Sequence, residues 1–499
     1  MNSFALAEDI LDKSNYDSAV EHLSQTNVLL PTFAELAEPG KSKFRNLPFG
    51  SDVHADEPHS ANLLRVHWYN NKERNGLTDV PGHLVLGPEF TGVAAPIIVI
   101  LGDRFPMIQA HKVLAAYACL VTRLVSGQFD PVRNRAIWPS TGNYCRGGIA
   151  ISRILGCRGV AVLPAGMSQE RFDWLENWVT NPDDIIRTPG SESNVKEIYD
   201  KCAELSADPT NVILNQFSEF ANYLVHYSCT GQALENIYEH LKANDSELSL
   251  AAFVAGTGSG GTLGAGDYLK EKFGTKIVAV EPIECPTMLY NGYGKHNIQG
   301  IGDKHIPLVQ NVMNTDIVAG VSDESCDSLN VLFNTDAGRE YLTERRKLDP
   351  DLVASLNKLG LSGIANLLAS IKTARMFDLT ENDAIITVAT DSAALYESER
   401  ASTEQSRYPG GFDQVSAGEV YAQHLCGLDG DHIADLSHRD KKRIFNLGYY
   451  TWVEQQGISL EEFDARRDQR FWKDLTKLLP VWDQMIEEFN HRTGVGRAA

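Results

Sequence analysis

Three stretches of this chain carry residue types that do chemistry once a fold brings them together. The first is Gly256-Thr257-Gly258-Ser259-Gly260-Gly261-Thr262. Glycines let the backbone approach a ligand, and a helix starting just after them presents free amides and the positive end of its dipole. With the Ser259 and Thr262 hydroxyls as further donors, this composition suits a phosphate cradle better than a plain flexible turn. It is not a nucleotide P-loop, because no Lys-Ser/Thr pair follows, and its glycines are too dense for a dinucleotide fingerprint. The second stretch is Ser140-Thr141-Gly142-Asn143-Tyr144, whose short hydroxyls, amide and backbone N–H groups suit a carboxylate or a phenolic oxygen. Helix capping by Ser140, Thr141 or Asn143 explains the same residues equally well. The third is Lys112, in His111-Lys112-Val113-Leu114-Ala115-Ala116. Desolvation among such neighbours favours the neutral amine, the nucleophile needed for a Schiff base. On composition alone, a lysine whose stem snorkels along the surface fits this position better.

These residues need elements to hold them, and the apolar pattern supplies a set. Pro96 to Leu101 is a continuous apolar run, the mark of a strand covered on both faces, and His111 to Val125 reads as the helix after it. Ala136 to Trp138 is a strand leading into the Ser140 loop, Gly148 to Leu155 continues as helix, and Gly159 to Leu163 returns as strand. That is a βαβ unit, which requires a parallel pairing with a right-handed crossover. The alternation goes on through strands at 211–214, 250–255, 276–281 and 384–388 and helices at 231–241, 263–273 and 364–376. So many βα units in series predict an α/β protein with mainly parallel sheets. Ligands then belong at the carboxyl ends of the strands, where all three chemical stretches lie.

The flanks read differently. Residues 1–90 are irregular, with one expected strand at Leu63 to Tyr69, and form an N-terminal extension. After about residue 400 the strands stop; Ser402 to Asp413, with Pro409-Gly410-Gly411, reads as a linker. Residues 401–499 form a helical C-terminal extension in which Phe445, Trp452, Phe463, Phe471, Trp472, Leu478 and Trp482 anchor packing. A chain of 499 residues exceeds one ordinary compact domain. Its net charge of −21 argues against nucleic acid or anionic membrane as the main partner. No apolar run is long enough to span a bilayer, and the acidic N-terminus lacks the features of a secretory or mitochondrial leader, so a cytoplasmic protein is expected. The eight cysteines lack the spacing of a zinc site or redox dithiol, so reduced thiols and no metal are expected.

Several motifs, in order, resemble the fold-type II pyridoxal-5'-phosphate (PLP) enzymes, and most closely cysteine synthase and the catalytic core of cystathionine β-synthase. They are Ser140-Thr141-Gly142-Asn143, Asn215-Gln216-Phe217, His226-Tyr227-Ser228-Cys229-Thr230-Gly231, the glycine loop followed by Lys276 to Pro282, and Ile298-Gln299-Gly300-Ile301-Gly302. The resemblance spans roughly residues 95–395. It implies two parallel-sheet α/β subdomains of the tryptophan synthase β-like type, with a catalytic core at 91–400 and a smaller subdomain inserted at about 115–225. It implies PLP as cofactor and Lys112 as its Schiff-base lysine and general base. It places the phosphate on Gly258, Ser259, Gly260, Gly261 and Thr262, the ring oxygen on Asn143, and the pyridine nitrogen on Ser362, with Asp391-Ser392 at another strand end as the competing position. The substrate carboxylate then falls to Ser140, Thr141 and Tyr144, helped by Gln216. The implied reaction is β-elimination or β-replacement on an amino acid such as cysteine or O-acetylserine, by a lyase or transferase of amino-acid metabolism that is usually a homodimer.

The chain also departs from the family pattern. Val113-Leu114 stand where Asp-Arg usually follows the lysine, and Tyr144-Cys145-Arg146 replace Thr-Gly after the loop. Arg146 is expected in a salt bridge on the helix surface. These departures also fit a PLP-binding regulatory or docking subunit without turnover, whereas the intact Lys112, Asn143 and glycine loop favour the enzyme.

Overall fold

The run at Ile97–Leu101 is a strand buried along its whole length, and the larger of two sheets is assembled around it. The computed structural model describes residues 6–42 and 53–495. Its strands are β1 (His83–Leu86), β2 (Ile97–Leu101), β3 (Arg135–Pro139), β4 (Arg158–Pro164), β5 (Ile185–Thr188), β6 (Asn211–Ile213), β7 (Ser249–Gly256), β8 (Lys276–Pro282), β9 (Ile317–Val321), β10 (Asp383–Ala389) and β11 (Ile433–Asp435). A seven-stranded sheet has the order β1-β2-β10-β7-β8-β9-β11, and a four-stranded sheet the order β5-β4-β3-β6. Every pairing is parallel except the two edges, where β1 runs against β2 and β11 against β9. The small sheet is built from chain lying between β2 and β7, so the α/β class with two parallel sheets holds.

The helices that matter for the site are α1 (Lys13–Gln25), α2 (Lys112–Val125), α3 (Asn143–Ile154), α4 (Gln169–Trp178), α5 (Leu263–Phe273), α6 (Leu361–Met376) and α7 (Leu478–Thr493). Helix α2 is buried from Val113 to Thr122 without a break, because α3, the helix at Phe220–Val225 and the terminal helices α1 and α7 all pack on it. Strand β10 inserts between β2 and β7, with Ile385 opposite Ile97 and Thr387 opposite Val254. That register brings the carboxyl ends of three neighbouring strands together, and each end leads into a stretch picked out for its chemistry.

Three expectations are corrected. Leu63 to Tyr69 is not a strand: Ser60–Arg65 is a 3-10 helix, capped by the His59 ring accepting from the Ala61 amide at 3.1 Å. Leu63, Val66 and Trp68 are all buried there, a pattern a two-fold alternation cannot produce. Ser402 to Asp413 is not wholly linker, since Glu397–Arg407 is a helix with acidic residues in its first turn and Arg407 in its last, matching the helix dipole. Strands do not stop at 400 either, as β11 edges the large sheet.

The tail and the N-terminal extension pack on each other and on α2. Asn490 of α7 accepts from the Leu30 amide at 3.1 Å and donates to the Leu30 carbonyl at 2.7 Å. Asp483 accepts from the amides of Phe33 and Ala34, Trp482 donates to the Ala7 carbonyl at 2.9 Å, and Phe489 meets Tyr16 edge-on at 5.4 Å. Trp452, Phe463, Trp472 and Trp482 are buried, as the packing reading of these aromatics expects, and Phe471 is partly buried. Asn490→Ala leaves two backbone groups without partners in the interior. It is expected to cost about 2–4 kcal/mol, read as a lower urea midpoint with an unchanged slope.

Candidate active site

Three helix N-termini converge on one point between the sheets. Strand β3 passes through Ser140–Gly142 into α3, β7 passes through the glycine loop into α5, and α6 opens with Leu361-Ser362-Gly363. Each contributes free backbone N–H groups and a positive dipole end, so the region favours anions before any side chain is counted.

Lys112, the first residue of α2, stands at the centre. Its part-buried Nζ donates to Ser259 Oγ at 3.1 Å. Two adjoining cavities share Lys112, Gly258, Ser259, Gly300, Ser362 and Thr390 as their common wall. The first is completed by Gly256, Gly260, Thr262 and Asn366. The second is completed by Ser140, Thr141, Asn143, Tyr144, Gln216, Gln299, Asp303 and Asp391. Removal from water pushes the Lys112 ammonium down to about 8, with the nearby Asp303 carboxyl pulling the other way. The lysine therefore holds a much larger fraction of free amine at neutral pH than an ordinary one.

The glycine loop is close-packed on both sides. A Cβ at Gly258 would meet the Gly300 carbonyl oxygen at 2.5 Å, one at Gly261 would meet Asn222 at 2.3 Å, and Gly260 has φ +76. Asn222 donates to Ser259 Oγ at 3.0 Å and to the Gln216 carbonyl at 2.9 Å, tying the loop to the wall of the second cavity. Thr262 Oγ1 lies 3.4 Å from His111 Nε2. His111 and the adjacent His226, rings 5.1 Å apart, are held neutral by burial.

On the other side, the Ser140 hydroxyl accepts from the Gly142 amide at 2.9 Å, so part of its capacity is spent on the loop's own turn. Asn143 donates to Asp391 at 2.6 Å and accepts from Arg146 at 2.8 Å, which fixes which way its amide faces. Asp391 also accepts from the Tyr396 hydroxyl at 2.8 Å. The Tyr144 ring packs edge-on against Trp138 at 5.4 Å, with its hydroxyl toward Cys119. Ser362, rather than Ser392, lies in the shared wall of both cavities, and Asp391 lies only in the second.

Among the residues assigned from sequence to the cofactor or substrate, with Ser362 as the choice over Ser392, only Gly261 lines neither cavity; its part is structural, under the loop. The surface role expected of Arg146 is wrong. It is 2% exposed, bonded to Asn143 and stacked over Trp174 at 4.9 Å, because α4 covers that face of α3. Sequence reasoning also missed Arg171 of α4, 1% exposed, which lies against Gly142, bonds Gln299, and donates to the Tyr396 hydroxyl at 2.9 Å. Nothing near Arg171 in the chain signals this. Asp303, by contrast, directly follows the Ile298–Gly302 motif and was open to notice.

Residues 103–333 match the family described as pyridoxal-phosphate dependent enzymes. Cysteine synthase B of Campylobacter jejuni is 31% identical over 255 residues, covering 50% of this chain and 74% of that one. Cystathionine beta-synthase of Saccharomyces cerevisiae is 28% identical over 285 residues, covering 54% of this chain and 51% of that one. Among solved structures, a hydrogen-sulfide-producing enzyme of Fusobacterium nucleatum, complexed with an α-aminoacrylate intermediate, superposes with TM-score 0.53 and 25% identity over 63% of this chain and 86% of that one.

Proposed function

Because the chain belongs to the pyridoxal-phosphate-dependent enzyme family, we propose that it catalyses β-elimination or β-replacement on a β-substituted amino acid such as cysteine or O-acetylserine. The observation that carries this reading is Lys112 standing in the wall shared by a glycine-lined cavity and a second cavity lined by Ser140, Thr141, Asn143 and Gln216.

The residues present fit the cofactor. Glycines 258 and 260 form a cradle that a Cβ would fill, and the Asn366 side-chain oxygen in the same cavity is buried with no partner among the described residues. Gly258, Ser259, Gly260 and Thr262 would hold the phosphate, with Gly261 keeping the loop close to Asn222. Asn143 would meet the ring oxygen, its amide already oriented by Asp391 and Arg146. Ser362 would offer the ring nitrogen a hydroxyl, which keeps that nitrogen unprotonated and limits side reactions such as transamination. When bound, PLP supplies an electron sink for the pair left behind by the α-proton.

The rest is done by the chain. Backbone amides at the start of α3, with Ser140, Thr141 and Gln216, orient the α-carboxylate, and the Tyr144 ring bounds that end of the cavity. Orientation sets the α-hydrogen toward Lys112, whose lowered proton affinity makes it a base at neutral pH. The same protein is proposed to be a cytoplasmic homodimer, on the analogy of the family.

The test is the visible absorbance of the PLP-loaded protein before and after addition of cysteine or O-acetylserine, with pyruvate and sulfide assayed alongside. A cofactor band that shifts on addition, with pyruvate or a β-replaced product released, is the expected result. A band indifferent to every β-substituted amino acid would overturn the reading.

A further inference from the structure

Building on the function proposed above, we infer that Asp303 is the acid that protonates the group leaving the β-carbon, with Glu192 as the carboxyl that shares its proton. Asp303 is 6% exposed and lies in the cavity wall with Lys112, Ser140 and Gln216. Its Oδ2 is buried and has no hydrogen-bond partner among the described residues. Glu192, 2% exposed, reaches the site from the turn between β5 and the helix at Val195–Leu205, and its Oε2 is also without a partner. A native interior seldom leaves a carboxyl oxygen unpaired unless something else meets it, and here the cavity offers the substrate.

Among the described residues neither carboxyl forms a direct ion pair, although Lys112 faces both and Arg171 also faces Glu192. The charged groups facing Asp303 are Glu192 and Lys112, and burial together with Glu192 drives its proton affinity well above the carboxylate range. Glu192 is pushed by burial to about 7, against hydrogen bonds from the Thr141 hydroxyl and the Gly300 amide and the charge of Arg171. Two buried carboxyls whose charges repel each other do not readily both ionise, so the pair keeps a proton near neutral pH.

The proton count closes without another reagent. Lys112 takes the α-proton, and the pair from that bond becomes the second bond between the α- and β-carbons. The pair of the bond from the β-carbon to its substituent leaves on the substituent, which takes the proton of Asp303. Asp303 is left as carboxylate and is reprotonated by the proton that Lys112 took from the α-carbon, which restores the proton it shares with Glu192. In replacement the steps reverse, the Asp303 carboxylate accepting the proton of the incoming nucleophile. Such an acid is needed for thiol or hydroxyl leaving groups and superfluous for groups that depart as stable anions. The inferred substrate class is therefore free β-thiol or β-hydroxyl amino acids, ahead of O-acylated ones.

The experiment compares PLP-loaded wild type with Asp303→Asn and Glu192→Gln on cysteine and serine, against O-acetylserine and β-chloroalanine. Cofactor content, and exchange of the α-hydrogen in heavy water followed by NMR, are measured beside pyruvate release. Asp303→Asn is expected to lose about 10²-fold or more on cysteine and serine. Its loss on the other two and on the exchange reaction, which belongs to Lys112, should be at least about tenfold smaller, so the ratio of losses is the readout. Glu192→Gln should show the same split at about tenfold, and it decides the matter if Asp303→Asn fails to load cofactor. Equal losses on all four substrates, or undiminished cysteine turnover, would overturn the inference. A loaded wild type that neither exchanges the α-hydrogen nor turns over any of the four defeats the function reading itself, and the inference falls with it.

Discussion

Lys112→Ala is expected to lower turnover by at least about 10²–10⁴-fold, the usual worth of a positioned general base, and to abolish covalent capture of PLP by borohydride. Wild type treated the same way should carry the cofactor mass on the peptide containing Lys112. Lys112→Arg preserves the positive charge beside Asp303 and should fail equally, which separates the nucleophile from the charge. The environment of Lys112 adds a pH signature. Removal from water lowers its pKa to about 8, so the free amine rises roughly tenfold per pH unit below that value and levels off above it. The rate at which apoprotein takes up PLP should follow this curve and flatten near pH 8, whereas an unperturbed lysine would keep gaining up to about 10.4. A loading rate still climbing well above pH 9 would show that Lys112 is not desolvated in the way described.

Gly258→Ala is expected to weaken PLP binding by roughly 5- to 150-fold, the equivalent of about 1–3 kcal/mol of overpacking. The added methyl would sit 2.5 Å from the Gly300 carbonyl oxygen. Both partners are backbone, so neither can swing aside as a side chain would, and relief requires the glycine loop to part from the Gly300 turn. Those two segments both line the cavity of Lys112 and Ser259, so the strain should fall on the cavity proposed to hold the cofactor and leave the core intact. Titration of apoprotein with PLP, followed by absorbance, gives the affinity, and circular dichroism checks the fold. Gly410→Ala, where a Cβ meets nothing within 4 Å, is the matched control and should bind as wild type does.

Much of the frame was legible because its signals are local. The apolar runs of β2, β7, β8 and β10 announce strands buried on both faces, and helix α5 starts where the glycine loop ends, at Leu263. Strand β9 was equally legible, since Ile317-Val318-Ala319-Gly320-Val321 is the same kind of run, yet it went unassigned. The edges were not legible. Strands β1 and β11 are short and only partly buried, and each exists because a longer neighbour offers it a ladder to pair with.

The sequence by itself determined the chemistry on offer: a lysine at a helix start, a glycine-rich loop before a second helix and a Ser-Thr-Gly-Asn turn before a third, each ordered by its own few neighbours. Only the tertiary structure decided what surrounds that chemistry. Arg171, Glu192 and Asp303 reach the site from segments far apart in the chain, and Arg146 is buried because α4 lies over it. Tail residues such as Asn490 acquire their partners some 460 positions away. Burial, counter-ions and proton affinity depend on what packs against a side chain from elsewhere, and no window of sequence contains that.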